Sequence, residues 1–255
     1  MDKAQPVVLL RHSYVPVKRA IDIVGSLVLL ALLSPLFFII TMAIALESPG
    51  SIFFRQQRIG FCGRRFGMFK FRTLQRRPTA NDLAGTHIAL AGQDKDITRV
   101  GAFLRRSGLN ELPQLLNILH GEMSFIGPRP ALLDNERYYS DWHRARLAVR
   151  PGVTGLAQVC GRNAIPWGWR IELDRYYISH ISPWLDLAIL CKTTWVVATR
   201  HGAEGDEALY YNFNPPGPHD HVLDKLAQQG LWRCTLTAPP AAPQRTAERV
   251  SQLRS

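Results

Sequence analysis

The sequence predicts an α+β protein: one membrane helix interrupted near its middle, interfacial amphipathic helices, and a small cytosolic domain. Three observations carry this. Ile23 to Leu46 is a 24-residue run without a charge, broken by Ser34-Pro35. Two segments after it alternate apolar and basic residues, the pattern of strands with one exposed face. Three later segments repeat their apolar residues at helical spacing.

In chain order, residues 1–17 are a short lead-in and residues 18–47 the membrane helix. About 20 apolar residues span a bilayer as a helix, so the run is long enough to cross. Pro35 removes a backbone donor and crowds the preceding turn; the Ser34 hydroxyl can serve part of the freed backbone, as burial in lipid requires. Arg11, Lys18 and Arg19 precede the run; Arg55, Arg58, Arg64, Arg65, Lys70 and Arg72 follow it. Positive charge marks the cytoplasmic side, and here it marks both ends. A kinked span and a hairpin that re-enters the same face both satisfy the residues. No cleavable leader is expected, because the apolar run starts late and no small-residue cleavage site follows it.

Residues 48–200 read as one domain. Pro49-Gly50 makes a turn into a strand, Ser51 to Phe54 followed by Arg55 to Gly60, and Phe66 to Arg72 forms a second strand. Thr79 to Asp96 is polar and reads as a loop. Ile97 to Arg106 places Val100, Phe103 and Leu104 on one stripe ringed by Arg99, Arg105 and Arg106, an interfacial pattern. Glu111 to Leu119 is expected as a helix with Leu112, Leu115, Leu116 and Leu119 on one face and Pro113 in its first turn. Trp184 to Thr199, with Trp184, Leu187, Leu190, Trp195, Val196 and Lys192, reads either as a helix on the bilayer surface or as a core helix. Residues 201–255 change composition: Asn212 to Pro218 and Thr235 to Pro243 are proline-rich, and Val222 to Gln229 suits a short helix. This C-terminal extension is expected to be partly disordered.

A formal net charge of +11 suits partners rich in phosphate. The cysteines, Cys62, Cys160, Cys191 and Cys234, have neither pair spacing nor nearby histidines, so reduced thiols are expected rather than zinc or disulfides. Nothing resembles a nucleic-acid motif, and no nucleic-acid partner is expected.

The most specific stretch is Leu104 to Leu119, which contains Arg105, Asn110-Glu111 and Pro113, followed by Gly121 to Pro130 ending in Pro128-Arg129-Pro130. With it go Lys70-Phe71-Arg72, then Arg150 to Val159 with Gly161-Arg162-Asn163, then Glu172-Leu173-Asp174 ahead of Tyr176-Tyr177. In this order the segments resemble the bacterial sugar transferases, the monotopic polyprenyl-phosphate phosphoglycosyl transferases, over about residues 17–200. The resemblance implies a re-entrant helix at Ser34-Pro35 and a place on the cytoplasmic face of a bacterial inner membrane. It implies transfer of a sugar phosphate from a UDP-sugar to undecaprenyl phosphate with release of UMP, the step that opens glycoconjugate or exopolysaccharide assembly. UDP-sugar, polyprenyl phosphate and an anionic phospholipid surface are the implied partners; a homo-oligomer is compatible with it.

In that family the pair at 110–111 reads Asp-Glu, and the Asp is the covalent nucleophile. This chain carries Asn110 there. A carboxylate attacking a phosphoanhydride needs cations and a divalent metal nearby. Glu111 offers carboxylate oxygen to Mg²⁺, with Asn110 a weaker ligand. Arg129, fixed between Pro128 and Pro130, is pre-organised to grip phosphate with a planar fork. By resemblance, Arg105 contacts phosphate and the Pro-Arg-Pro loop holds the nucleotide. Lys70, Arg72, Arg162, Asn163 and Asp174 complete the matched set, with headgroup binding (Lys70, Arg72) and a structural ion pair (Asp174) as their plainer roles. The amide leaves three explanations: a deliberate Asp→Asn variant, a catalytically inactive member kept as a membrane scaffold, or Glu111 as nucleophile.

Overall fold

The computed structural model describes residues 14–75, 96–161 and 165–199. The expected loop 79–96 lies almost wholly outside the described residues. The lead-in to residue 13 and the extension 201–255 lie outside them as well.

The apolar run forms one helix, α1 (Tyr14–Glu47), with Pro35 inside it. The expected break is therefore not a break in helical structure. The reason is local. Pro35 cannot donate to the carbonyl of Ala31, one turn earlier, and the Ser34 hydroxyl donates to that carbonyl instead at 2.8 Å.

One stripe of α1 packs along the domain while the rest is bare. Near its start, Lys18 Nζ pairs with Asp186 at 2.6 Å. Arg19 donates to the carbonyls of Ile118 (2.6 Å) and Leu119 (3.0 Å). Buried Asp22 accepts from the Ser124 hydroxyl and the Phe125 amide, both at 3.0 Å. Near its end, Ile40 and Ile44 pack with Phe71 and Leu104. The Glu47 carboxylate accepts from the amides of Arg99 (2.6 Å) and Val100 (2.9 Å). Leu32, Phe38, Ile39 and Leu46 stay largely exposed.

The two predicted strands are present as β1 (Phe53–Ile59) and β2 (Arg65–Phe71), an antiparallel hairpin with Phe54 opposite Lys70 and Arg58 opposite Phe66. The predicted amphipathic helix is α2 (Arg99–Ser107), capped by the Thr98 hydroxyl on the Gly101 amide. The next helix starts later than its leucine pattern suggests. Leu109–Glu111 is a 3₁₀ turn, and α3 spans only Gln114–Leu119, with Pro113 as its N-cap.

Three very short strands follow: β3 (Ser124–Ile126), β4 (Ala131–Leu132) and β5 (Gly152–Thr154). β4 pairs antiparallel with β1, and β3 runs parallel to β5. The chain between β3 and β4 is therefore anchored to a different sheet at each end. Gly127 and Gly152 cross there with no room for a Cβ on either. A short helix α4 (Asp141–Arg144) and a 3₁₀ turn, Ala145–Ala148, lead to β5.

The C-terminal half is helical: α5 (Leu156–Cys160), α6 (Trp167–Ser179) and α7 (Pro183–Thr199). Leu156, Val159, Leu173, Tyr177, Ile178, Ile189 and Val196 close one core over Ile126. Each fully buried aliphatic side chain contributes about 1.5–3 kcal/mol. α7 divides its apolar residues between two faces. Ile189 and Val196 enter the core, while Trp184, Leu187, Leu190 and Trp195 face outward. Lys18, Tyr14 (3.0 Å) and Tyr177 (2.8 Å) all direct donors at the carboxylate of Asp186, so α7 and the entry of α1 are fastened together.

Candidate active site

The site is assembled by three elements that the chain brings together from distant positions. β2 supplies Lys70, the 3₁₀ turn after α2 supplies Asn110 and Glu111, and the β3–β4 loop supplies Arg129. The turn depends on Gly108, which ends α2 at φ 75° with its amide returned to the Arg105 carbonyl. A residue with a side chain is strained there. This left-handed step is what tips Asn110-Glu111 out of the helix direction.

Glu111 Oε1 lies 3.2 Å from Arg129 Nη2 and 3.4 Å from Lys70 Nζ. One carboxylate oxygen thus bridges two cations. Burial by itself raises a carboxyl's pKa, but Arg129 and Lys70 outweigh it and hold Glu111 well below the ordinary carboxylate range. The Lys70 ammonium is pushed down to about 8, first by burial and then by the neighbouring Arg58 and Arg129, with Glu111 opposing. The Arg129 side chain is 50% exposed, so the guanidinium is both tethered and open to solvent.

The Arg129 loop is held by its backbone. Arg58 Nη1 approaches the Pro130 carbonyl at 3.4 Å, and Arg146 Nη2 donates to the Arg129 carbonyl at 3.0 Å. Pro128 and Pro130 are buried while Arg129 between them is exposed. β2 is in turn locked to α3 by Asn117. Its Oδ1 accepts from the Phe69 amide (2.9 Å), and its Nδ2 donates to the Gly67 carbonyl (2.9 Å) and to Glu122 Oε2 (2.7 Å). Lys70 follows directly on a residue so fixed.

Of the residues singled out from sequence, Lys70, Asn110, Glu111, Pro128, Arg129 and Pro130 come together. Arg105 lies on α2 one turn ahead of Asn110 and donates from Nε to Thr73 Oγ1 at 2.9 Å. Arg72 is placed elsewhere. It is buried, and its guanidinium donates to the Ser48 carbonyl (2.6 Å), the Ser48 hydroxyl (2.9 Å) and the Pro49 carbonyl (2.8 Å), closing the turn after α1. Asp174 is also turned inward, 2.8 Å from Arg146 Nη2 and 2% exposed. Its neighbour in the motif, Glu172, accepts from Trp142 Nε1 at 2.6 Å. Arg162 and Asn163 lie outside the described residues. Among the described residues no three His, Cys, Asp or Glu side chains converge as a metal cluster.

Sequence reasoning missed Arg58, Asn117 and Arg146. Arg58 reads as one of several basic residues along a strand, Asn117 as an ordinary position in a leucine-rich helix, and Arg146 as a surface charge. Nothing in their local spacing separates them from such residues.

Residues 13–200 match the family described as Bacterial sugar transferase. The uncharacterized sugar transferase EpsL of Bacillus subtilis is 37% identical over 188 residues, covering 73% of this chain and 90% of EpsL. A UDP-glucose:undecaprenyl-phosphate glucose-1-phosphate transferase of Caulobacter vibrioides is 42% identical over 194 residues, 73% of this chain and 71% of that protein. The exopolysaccharide production protein ExoY of Rhizobium meliloti is 37% identical over 198 residues, 73% of this chain and 87% of ExoY. Longer relatives are matched over less of their length, as with 41% of an undecaprenyl-phosphate galactose phosphotransferase of Salmonella typhimurium. The match takes in α1, the Glu111–Lys70–Arg129 constellation and all the helices behind it. The chain belongs to the bacterial sugar transferase family.

Proposed function

We propose that the site binds a UDP-sugar and serves transfer of its sugar phosphate to undecaprenyl phosphate, with release of UMP, and that Asn110 impairs this chain in that reaction. The observation that carries the reading is the Glu111 carboxylate, kept ionised between Lys70 and Arg129, one residue after the family's nucleophile position. The Caulobacter and Salmonella relatives bear names of that reaction, and ExoY bears one of exopolysaccharide production.

With Asp at position 110, the carboxylate attacks the phosphorus that bears the sugar. The bond to the UMP oxygen breaks and UMP leaves. An oxygen of undecaprenyl phosphate then attacks the enzyme-bound phosphosugar and frees the carboxylate again. Arg129 presents two donors to the diphosphate, and Lys70 neutralises charge beside it. Arg105 is assigned to phosphate as well. A single glutamate with an amide oxygen beside it suits a Mg²⁺ that arrives on substrate phosphates, the usual manner for that ion. Bound there, Mg²⁺ would neutralise the phosphate oxygens, with Glu111 and, more weakly, Asn110 as its protein ligands. An amide at 110 keeps the shape of the site and lacks the nucleophile, so the chain binds substrate and turns over very slowly. Asn110 also favours a second reading, a membrane scaffold that binds UDP-sugar without chemistry.

The membrane part of the proposal is that α1, helical throughout but kinked at Pro35, enters and leaves by the cytoplasmic face. It is long and apolar enough to cross a membrane. Lys18, Arg19 and Asp22 at one end and Glu47 at the other are fastened to the same domain, which supports a monotopic arrangement. UMP release measured over a panel of UDP-sugars, on this chain and on N110D, tests the function. Absence of release from N110D with every sugar would overturn the transferase reading.

A further inference from the structure

Behind the exposed site lies a second charged group that the reaction does not use directly. Arg146 is 5% exposed and sits in the 3₁₀ turn Ala145–Ala148. Both terminal nitrogens of its guanidinium are engaged, and a ring lies against it. Nη2 lies 2.8 Å from Asp174 Oδ2, Nη1 donates to the Tyr139 hydroxyl at 3.2 Å, and the carbon of the fork stands 4.8 Å from the Trp167 ring centroid. The remaining contact is outward: Nη2 donates to the backbone carbonyl of Arg129 at 3.0 Å.

We infer that Arg146, oriented by Asp174, is a positioning residue that sets the direction of Arg129 toward phosphate. The inference rests on the proposed nucleotide role of Arg129. A fully buried arginine–aspartate pair is a poor stabilising device, since apolar residues of the same volume often do as well or better. Its placement has a different logic. Pro128 and Pro130 fix their own φ angles, but the peptide that follows Arg129 needs an external hold. Arg146 supplies it at the carbonyl of the one residue in the loop whose side chain reaches solvent. The Glu172-Leu173-Asp174 segment then has a common purpose. Glu172 fixes Trp142 and Asp174 fixes Arg146, so both carboxylates hold the Tyr139–Arg146 stretch against α6. Asp174 acts on nucleotide through Arg146 and Arg129 rather than by contact.

Lysine at 146 keeps the charge and three donors but gathers them on one nitrogen, so it does not reproduce the spread planar fork that places separate nitrogens at Tyr139 and at the Arg129 carbonyl. The test uses the full chain in detergent with UDP and Mg²⁺. R146K is expected to weaken UDP binding about tenfold, the effect of losing one charge-assisted hydrogen bond. R129A/R146K should bind no more weakly than R129A alone, because the contribution of Arg146 passes through Arg129. UDP affinity unchanged in R146K, or losses that add in the double variant, would overturn the inference. Where R146K does not fold, Y139F removes one partner of the fork and should show a smaller loss with the same non-additivity. A ligand-free arm measures phenylglyoxal modification of Arg129 by mass spectrometry, expected to be several-fold faster in R146K. An unchanged rate overturns the positioning role. Absence of UDP binding by the parent chain, with the faster rate retained, removes only the nucleotide reading.

Discussion

Arg129 and Glu111 meet across the mouth of the site, Nη2 to Oε1 at 3.2 Å, although one comes from a loop between two sheets and the other from a turn between two helices. The pair couples the half-exposed cation of the Pro-Arg-Pro loop to the carboxylate next to Asn110. Lys70 shares the same oxygen from the strand below. An incoming diphosphate would compete for these cations, so substrate binding and the state of Glu111 are linked.

Under the proposed function, position 110 is expected to decide turnover. This chain should bind UDP-sugar with Mg²⁺ and release almost no UMP. N110D should raise UMP release by several orders of magnitude, comparable to the effect of a catalytic nucleophile elsewhere, and yield a phosphosugar adduct detectable by mass. Robust release by the unmodified chain, lost in E111Q and accompanied by an adduct on Glu111, would reassign the nucleophile.

Arg129 is exposed and forked, so geometry as well as charge is at stake. R129A should weaken UDP binding about tenfold or more and R129K by less, since the lysine keeps the charge and loses the fork. Calorimetric titration with Mg²⁺ present measures both. Equal affinity in the parent chain and R129A would remove this residue from the site.

α1 should have both ends on one side of the membrane. Cysteines introduced near Val15 and Ser51, in a background freed of the native thiols, should react with an impermeant reagent only when the cytosolic face is accessible. Labelling of the two from opposite sides would show a span.

Asn117 is fully buried, with its amide committed to Gly67, Phe69 and Glu122. N117A leaves the part-buried Phe69 N–H and Gly67 carbonyl without this partner. The expected loss is about 2–4 kcal/mol, seen as a lower melting temperature in detergent. UDP binding should weaken in the fraction that stays folded, because Lys70 adjoins Phe69.

Burial raises the Asp174 carboxyl to about 6, against the opposing pull of Arg146 and Arg170. Tyr139 and Trp167 also border the Arg146 fork that it holds. The raised value puts proton uptake near pH 6 instead of near 4. Above that pH the ionised carboxylate holds Arg146, and below it the hold weakens. UDP affinity should therefore fall more between pH 7 and pH 5 in the parent chain than in D174N, whose amide does not titrate. The titration of UDP itself cancels in that comparison. Identical pH profiles would detach Asp174 from the site.

Much of the fold was legible because its longer elements carry their own period. The hairpin β1–β2 alternates, and α2 and α7 repeat their apolar residues at helical spacing. The three strands β3 to β5 have two or three residues each, too few to show any period. The start of α3 was misplaced because the leucine pattern runs on through Glu111. Gly108 and Pro113 decide where helix can form, and the backbone between them closes a 3₁₀ turn instead. At Ser34-Pro35 the serine hydroxyl takes over the carbonyl that proline leaves, so the helix continues where a break was expected.

The sequence by itself determined the family and the apolar helix with basic flanks, and it singled out Asn110, Glu111 and Arg129 as candidates, because residue types and their order along the chain are enough for that. Only the tertiary structure decided which cations reach Glu111, that Arg72 and Asp174 face inward, and that Arg58 and Arg146 bond the backbone of the Arg129 loop while Asn117 bonds that of β2. Those facts depend on contacts between residues tens of positions apart. A buried arginine and an exposed one are the same letter until packing decides which has lost its water and must find its partners inside.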